Sequence, residues 1–125
     1  MNIPTDLKYT QDHEWLRQAD ELLVVGITDF AQSELGDIIF VEFPDIGAIF
    51  DQGETFGTVE AVKTVADLFM PLSGEVVEVN QSLDDAPEQV NSDPYNTGWL
   101  IKIRPGDPAQ LNTLLDAQAY KDHIS

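Results

Sequence analysis

The stretch Gly53–Gly74, GETFGTVEAVKTVADLFMPLSG, is the most informative part of the chain. Two runs of β-forming residues, which we predict as strands Glu54–Glu60 and Val65–Met70, flank one lysine that stands almost midway between the bounding glycines. Such a layout predicts a β-hairpin with Lys63 at its tip.

A turn centred on Lys63 and Thr64 sets the expected register of this hairpin. Neither residue adopts a positive φ easily, so we expect a type I turn in a slightly longer loop, ordered but exposed. Apolar or small residues then oppose each other across the strands. The expected pairs are Val62–Val65, Ala61–Ala66, Val59–Leu68 and Gly57–Met70.

Short β-like runs separated by turn residues occupy most of the first hundred positions. They favour a mainly β fold of antiparallel sheets over alternating βαβ units. The stretch 80–98 is rich in Asp, Asn and Pro, which predicts a long surface loop. Outside the hairpin, the predicted strands are His13–Arg17, Glu21–Thr28, Asp37–Phe43, Gly74–Asn80 and Trp99–Ile103.

Two segments carry helix signals. Asp29 as a cap, Gln32 three residues later and Gly36 as a stop predict one short helix after the second of these strands. Near the end of the chain, Asp107 can cap a helix with Pro108 at its first position. One face of that helix should then pack on the sheets through Leu111, Leu114 and Leu115.

Composition restricts the partners of this chain. Its 125 residues fit one domain, and 23 acidic against six basic residues give a formal net charge of -17. Such a charge repels both nucleic acid and an anionic membrane surface. It suits encounters with basic surfaces of other proteins, although solubility alone is an equally good explanation.

Reactive chemistry within the chain is limited by the residues it lacks. It has no cysteine, so any redox dithiol must come from outside. His13 and His123 are far apart in sequence, so we assign them structural and surface roles and predict no metal site. The first ten residues resemble neither a signal peptide nor a transit peptide, which predicts a cytoplasmic location.

Lys63 is the single basic residue across roughly twenty positions that also contain Glu54, Glu60, Asp67 and Glu75. A modifying enzyme would therefore meet one isolated amine. A solvated surface charge is an equally good interpretation of a lysine at a hairpin tip. Topology and composition leave these two alternatives open.

Four blocks of the sequence resemble the glycine cleavage system H protein family. They occur in the order and spacing of that family and together cover most of the chain. The blocks are YTQDHEWL (Tyr9–Leu16), GITDFAQSELGDIIFVEFP (Gly26–Pro44), VEAVKTVADLFMPLSGEVVEVN (Val59–Asn80) and NSDPYNTGWLIKI (Asn91–Ile103).

The resemblance implies a barrel-sandwich hybrid fold of the lipoyl-domain type, with two antiparallel sheets, a short helix after the second strand and a C-terminal helix. It implies one lipoyl-carrier domain over residues 1–125, with a lipoyl-binding core of about 22–104 and a helical segment of about 107–124. It also implies (R)-lipoate bound covalently to Lys63 as an amide. A mobile arm on a rigid hairpin can visit successive active sites, with the cofactor supplying the reactive atoms.

The family's role implies a non-catalytic carrier with several partner enzymes. The arm takes the aminomethyl group of glycine from a pyridoxal-phosphate glycine decarboxylase, the P protein, and delivers it to a tetrahydrofolate-dependent aminomethyltransferase, the T protein. Dihydrolipoyl dehydrogenase, the L protein, then reoxidises the arm. A lipoate-attaching enzyme is a fourth partner, and we expect a monomer.

Residues around the arm are also implied by the resemblance. Glu14 and Asp67 match acidic positions that hold the amine of the loaded arm, for which charge-assisted bonds suit an ammonium. Two ordinary surface acids are an equally good explanation. This sequence departs from the common family pattern at Glu34, where many members have histidine, and at Ala61 and Thr64 beside the lysine.

Other carrier roles remain as alternatives. A biotin carrier typically brackets its lysine with methionines, whereas Val62 and Thr64 flank Lys63 here. A lipoyl domain of a dehydrogenase complex usually has Asp before the lysine and is tethered to a catalytic core. A lipoyl donor for other apoproteins and an unmodified acidic binding module are compatible with the sequence.

Overall fold

The computed structural model describes residues 2–125, so Met1, the first residue of the predicted domain, lies outside it. Two antiparallel sheets form the body of the protein, one of six strands in the order β1-β2-β3-β9-β8-β5 and one of three in the order β4-β6-β7. The strands are β1 Lys8–Tyr9, β2 Glu14–Ala19, β3 Leu22–Ile27, β4 Ile38–Glu42, β5 Ile49–Phe50, β6 Thr55–Ala61, β7 Val65–Phe69, β8 Gly74–Val79 and β9 Ile101–Pro105.

The predicted mainly β architecture is confirmed, and all seven predicted strands are present with ends shifted by at most two residues. Two strands, β1 and β5, were not predicted. Each has two residues, which is too short for an alternating pattern to be visible in the sequence.

A short helix, α1 Asp29–Leu35, connects the two sheets. Its cap is Thr28, whose hydroxyl accepts a hydrogen bond from the Ala31 N–H, so the prediction of Asp29 as the cap was wrong by one residue. The helix ends as predicted at Gly36, which has a φ of 81°. Glycine adopts this backbone conformation without steric cost.

The stretch 80–98 is not the open surface loop that its composition predicted. It contains two helical turns, α2 Ser82–Asp85 and α3 Gln89–Ser92, which bury Leu83 and Val90 in the core. The Asn80 side chain donates hydrogen bonds to the carbonyls of Thr97 and Trp99. One buried apolar residue in each helical turn anchors the segment. The surrounding turn-forming residues obscure this signal in the sequence.

The C-terminal segment is broken where a continuous helix was predicted. Asp107 does cap a helix, but this is a 3-10 helix, Pro108–Thr113, and the chain then extends before α4 Ala117–Ile124 begins. Leu115 pairs with Tyr9 through two backbone hydrogen bonds of 2.8 Å. This pairing adds a bridge to β1 and prevents Leu111, Leu114 and Leu115 from sharing one helical face.

Two apolar clusters hold the sheets together. The larger lies between the sheets and contains Val59 and Leu68 of the hairpin strands. The smaller contains Tyr9 and Trp15 together with Tyr120, the buried residue of α4. Removing this apolar surface from water is the main force that holds the three-stranded sheet against the six-stranded one. The hairpin tip therefore projects from a rigid base.

Candidate functional site

The hairpin of β6 and β7 has a register two residues away from the predicted one. Val59 pairs with Ala66 and Gly57 with Leu68, whereas the prediction paired Val59 with Leu68. Ala61 is the last residue of β6, and its strand partner is Ile38 of the neighbouring strand β4. The third strand thus determines where the turn begins, and the isolated hairpin sequence does not contain that information.

Val62 and Lys63 are the two residues of the turn. The Ala61 N–H donates to the Thr64 carbonyl at 2.7 Å, and the Val62 N–H donates to the carbonyl of Asp37 at 3.0 Å. Lys63 is exposed as predicted. Neither turn residue has a positive φ, so the turn is not of the primed type, in agreement with the prediction.

The stem of Lys63 passes over Gly36 at the end of α1. A Cβ atom at position 36 would lie 3.3 Å from Lys63 Cε and 3.8 Å from Nζ, tighter than ordinary contact at Cε. Neither of the two salt bridges found among residues 2–125 involves Lys63. The absence of a side chain at Gly36 therefore leaves room for the lysine to leave the surface.

Asn91 ties together the backbone on which the tip rests. Its side-chain carbonyl accepts from the Ile38 N–H at 2.8 Å, and its amide donates to the Gly36 carbonyl at 2.8 Å and to Gln32 at 3.0 Å. Asp37 lies between Gly36 and Ile38, and its carbonyl accepts the hydrogen bond from the Val62 N–H. Asn91 was not predicted as a site residue, because its partners are more than fifty positions away in sequence.

A cleft of about 400 Å³ opens between α1, the start of β2 and strand β7. Its walls are mainly apolar, and acidic side chains stand at several points around them. The residues that line it are Asp12, His13, Glu14, Ile27, Phe30, Ala31, Glu34, Leu35, Val59, Ala66, Asp67 and Leu68. The cleft brings together Glu14 and Asp67, the pair implied by the resemblance, and adds Glu34. Lys63 does not line it.

Glu14 is buried at the inner end of this cleft, with 2% of its surface exposed. One carboxylate oxygen accepts from the Thr10 hydroxyl at 3.1 Å and the other from the Phe69 N–H at 2.9 Å. Burial nevertheless raises the pKa of Glu14 to about 8, because it disfavours the charged form more than the two hydrogen bonds favour it. A cation entering the cleft would stabilise the charged form.

His13 belongs to a hydrogen-bonded group at the edge of the cleft. Its ring is hydrogen bonded to the Tyr120 hydroxyl at 2.9 Å, which is also hydrogen bonded to Thr28 at 2.7 Å. Burial lowers the pKa of His13, and the nearby His123 lowers it further. The carboxylates of Asp12 and Glu34 act in the opposite direction. His123, predicted at the surface, is exposed in the last turn of α4, and its ring lies 5.7 Å from the His13 ring.

The chain matches the family model for the glycine cleavage H-protein over residues 7–125. It belongs to the glycine cleavage H-protein family. The resemblance that rested on four sequence blocks is thereby confirmed. Among relatives, the glycine cleavage system H protein of Chlorobium limicola is 61% identical over 126 residues, covering 99% of this chain and 98% of the relative. That of Bacteroides thetaiotaomicron is 55% identical, covering 97% and 96%.

A solved structure in the H-protein family has the same fold. The crystal structure of a glycine cleavage system H protein from Mycobacterium marinum is 40% identical, has a TM-score of 0.87, and covers 98% of both chains. Fold and family thus agree for this H-protein family member. Within residues 2–125, no group of three or more metal-ligating side chains converges, and no helix is long and apolar enough to cross a bilayer.

Proposed function

We propose that this H-protein family member is a lipoylated shuttle of the glycine cleavage system, with (R)-lipoate bound as an amide to Lys63. It carries the aminomethyl group of glycine from the P protein to the T protein, and the L protein then reoxidises it. The observation that carries this proposal is an exposed lysine at a hydrogen-bonded two-residue turn in a chain of this family.

The residues around Lys63 fit a long covalent arm. The lysine stem is unobstructed at Gly36, and the cleft of about 400 Å³ lies beside strand β7, which leads away from the tip. Apolar walls suit the carbon chain of a lipoyl group, while carboxylates at the cleft suit an amine at its end. When attached, lipoate supplies the disulfide that takes up the glycine-derived group.

Glu14 and Asp67 are the residues that we propose to hold that amine. Glu14 offers two oxygens at the inner end of the cleft, and Asp67 lines it from β7. An ammonium close to Glu14 would lower the pKa of this carboxyl from its raised value and form a charge-assisted bond. The chain's own part is therefore to orient and shelter the loaded arm.

We further propose how this shuttle is organised and which proteins it meets. The protein is a single lipoyl-carrier domain over residues 1–125. It acts as a monomeric, non-catalytic subunit in the cytoplasm, and it meets the P, T and L proteins and a lipoate-attaching enzyme. Its net charge of -17 favours basic docking surfaces on all of them.

Intact-mass spectrometry tests the attachment directly. The wild-type protein, incubated with a lipoate ligase, ATP and lipoate, should gain one lipoyl group, which peptide mapping should locate on Lys63. The Lys63→Arg variant retains the charge and should gain nothing. An unmodified wild type, or modification of the arginine variant at another lysine, would refute the proposal.

A further inference from the structure

An apolar patch surrounds the base of Lys63. Six large apolar side chains are exposed among residues 2–125, and four of them lie at the lysine end of the three-stranded sheet. Val62 belongs to the turn itself and Val65 begins the next strand, with 72% and 61% of their surfaces exposed. Ile39 and Phe40 of β4 are 51% and 50% exposed. We call these four residues the tip patch.

A β-bulge in β4 exposes the two larger members of the tip patch. Ile38 pairs with Ala61 and Phe40 with Glu60, so Ile39 is an additional residue without its own partner. Bulges re-aim side chains in this way, and here two successive residues are exposed while Ile38 stays buried. About half of the surface of Ile39 and of Phe40 is in contact with water. A contiguous exposed apolar patch of this kind is typical of a protein interaction surface.

Carboxylates edge the tip patch. On the outer face of the sheet, Phe40, Glu60 and Val65 are aligned across the three strands. In a neighbouring row Glu42 is exposed on β4. Lys63 is the only basic residue between positions 18 and 101. The complementary surface is therefore apolar at its centre and basic at its edge.

The location of the tip patch beside Lys63 indicates which partner protein contacts it. A protein that reacts with Lys63 Nζ must come within the length of a four-carbon stem, and its surface therefore contacts the flanking Val62 and Val65. Enzymes that react with the far end of a cofactor arm meet it beyond the tip and do not need that contact. The tip patch is thus suited to the enzyme that acylates the lysine.

We propose that the tip patch is the docking surface for the lipoate-attaching enzyme, which presents an apolar area edged by Lys or Arg. This inference rests on the proposed lipoylation of Lys63. In the reaction, neutral Nζ attacks the acyl carbon of a lipoyl adenylate that the enzyme makes from lipoate and ATP. The amide C–N bond forms as the C–O bond to AMP breaks, and the nitrogen's proton passes to solvent.

Steady-state acylation of the unmodified protein by a lipoate ligase, with ATP and lipoate, tests this docking surface. The Ile39→Ser/Phe40→Ser variant should raise the KM for the protein roughly tenfold, since buried aromatic anchors dominate interface energies, and leave kcat nearly unchanged. Val65→Thr, which retains β-branching, should raise KM by a smaller factor. Ile46→Ser/Ile49→Ser is the matched control, because it removes apolar side chains away from the turn that are more exposed than Ile39 and Phe40.

Thermal melting shows whether each variant is folded. If the Ile39→Ser/Phe40→Ser variant does not fold, the KM of Val65→Thr is compared with that of the wild type instead. Unchanged KM in the tip-patch variants, or an equal rise in the control, would overturn the inference. Fully lipoylated double variant should show an unchanged KM with glycine decarboxylase, and a tenfold rise there would assign the patch to a carrier partner instead. Failure of the wild type to be acylated at Lys63 would overturn the proposed function together with this inference.

Discussion

The carboxylate of Glu14 in β2 accepts a hydrogen bond of 2.9 Å from the Phe69 N–H at the end of β7. This bond joins the two sheets at the inner end of the cleft. The same carboxyl is almost fully buried, and its pKa is raised to about 8. Both the stability of the fold and the charge in the cleft should therefore depend on pH through the ionisation of Glu14.

The first prediction concerns stability and pH at Glu14. Its pKa is raised from 4.5 to about 8 on folding, so between these values the folded state binds a proton that the unfolded state has lost. The contribution of Glu14 to the free energy of unfolding is therefore largest below pH 4.5 and declines as the pH rises through about 8. The total decline is on the order of a few kcal/mol.

Urea unfolding of the wild type and Glu14→Gln at about pH 5 and about pH 9 measures this effect. The variant should gain stability relative to the wild type at the higher pH, because glutamine does not ionise. Glu42→Gln, at an exposed carboxylate on β4, controls for the loss of one acid. A stability difference between Glu14→Gln and the wild type that is the same at both pH values would contradict the assignment.

The second prediction concerns the pair of acids in the cleft. In the loaded protein, Glu14→Gln/Asp67→Asn should release the glycine-derived amine faster, by about tenfold or more, because charge-assisted hydrogen bonds are lost. Quenched-flow sampling of the loaded protein gives the release rate. Asp84→Asn/Asp85→Asn, in α2, is the control. Unchanged release in the cleft variant would count against this role.

The third prediction separates backbone strain from the space that Lys63 needs. Gly36 and Gly47 both have positive φ, but a Cβ at 36 would press on Lys63 Cε at 3.3 Å, whereas nothing lies within 4 Å of one at 47. Each Gly→Ala substitution should destabilise the fold by about 1 kcal/mol. Acylation of Lys63 should slow in Gly36→Ala alone. Equal acylation rates for the two variants would show that the contact is unimportant.

The fourth prediction tests the support beneath the turn. Asn91→Ala leaves the Ile38 N–H and the Gly36 carbonyl without their partners, which should cost about 2 kcal/mol. Hydrogen exchange at the Val62 amide, bonded to Asp37, should become faster. Asn96→Ala removes an exposed side-chain bond of 3.3 Å to Asp93 and should change neither quantity. Protection of Val62 that is equal in both variants would exclude this support.

Much of the fold was predictable because strands with one buried face have an alternating pattern. The hairpin and its exposed lysine were predicted from Gly53–Gly74 alone. Its register was not, since pairing of Ala61 with Ile38 on a third strand moves the turn. Likewise, the bridge between Tyr9 and Leu115 breaks the C-terminal helix through partners about a hundred positions apart.

The cleft was predictable only in part. Glu14 and Asp67 were named from the resemblance, and the structure places both of them there. The raised pKa of Glu14 depends on burial in the folded protein, and no feature of YTQDHEWL indicates it. The tip patch was missed for a related reason, because a bulge exposes residues that alternation would place on opposite faces.

Reconstituted glycine oxidation is a direct test of Lys63 as the residue that carries the lipoyl arm. The lipoylated protein is combined with purified P, T and L proteins, glycine, tetrahydrofolate and NAD, and glycine-dependent NADH formation is followed. NADH should form with the lipoylated wild type and should not form with Lys63→Arg or with the unmodified protein. NADH formation by the arginine variant, or none with the lipoylated wild type, would contradict this role of Lys63.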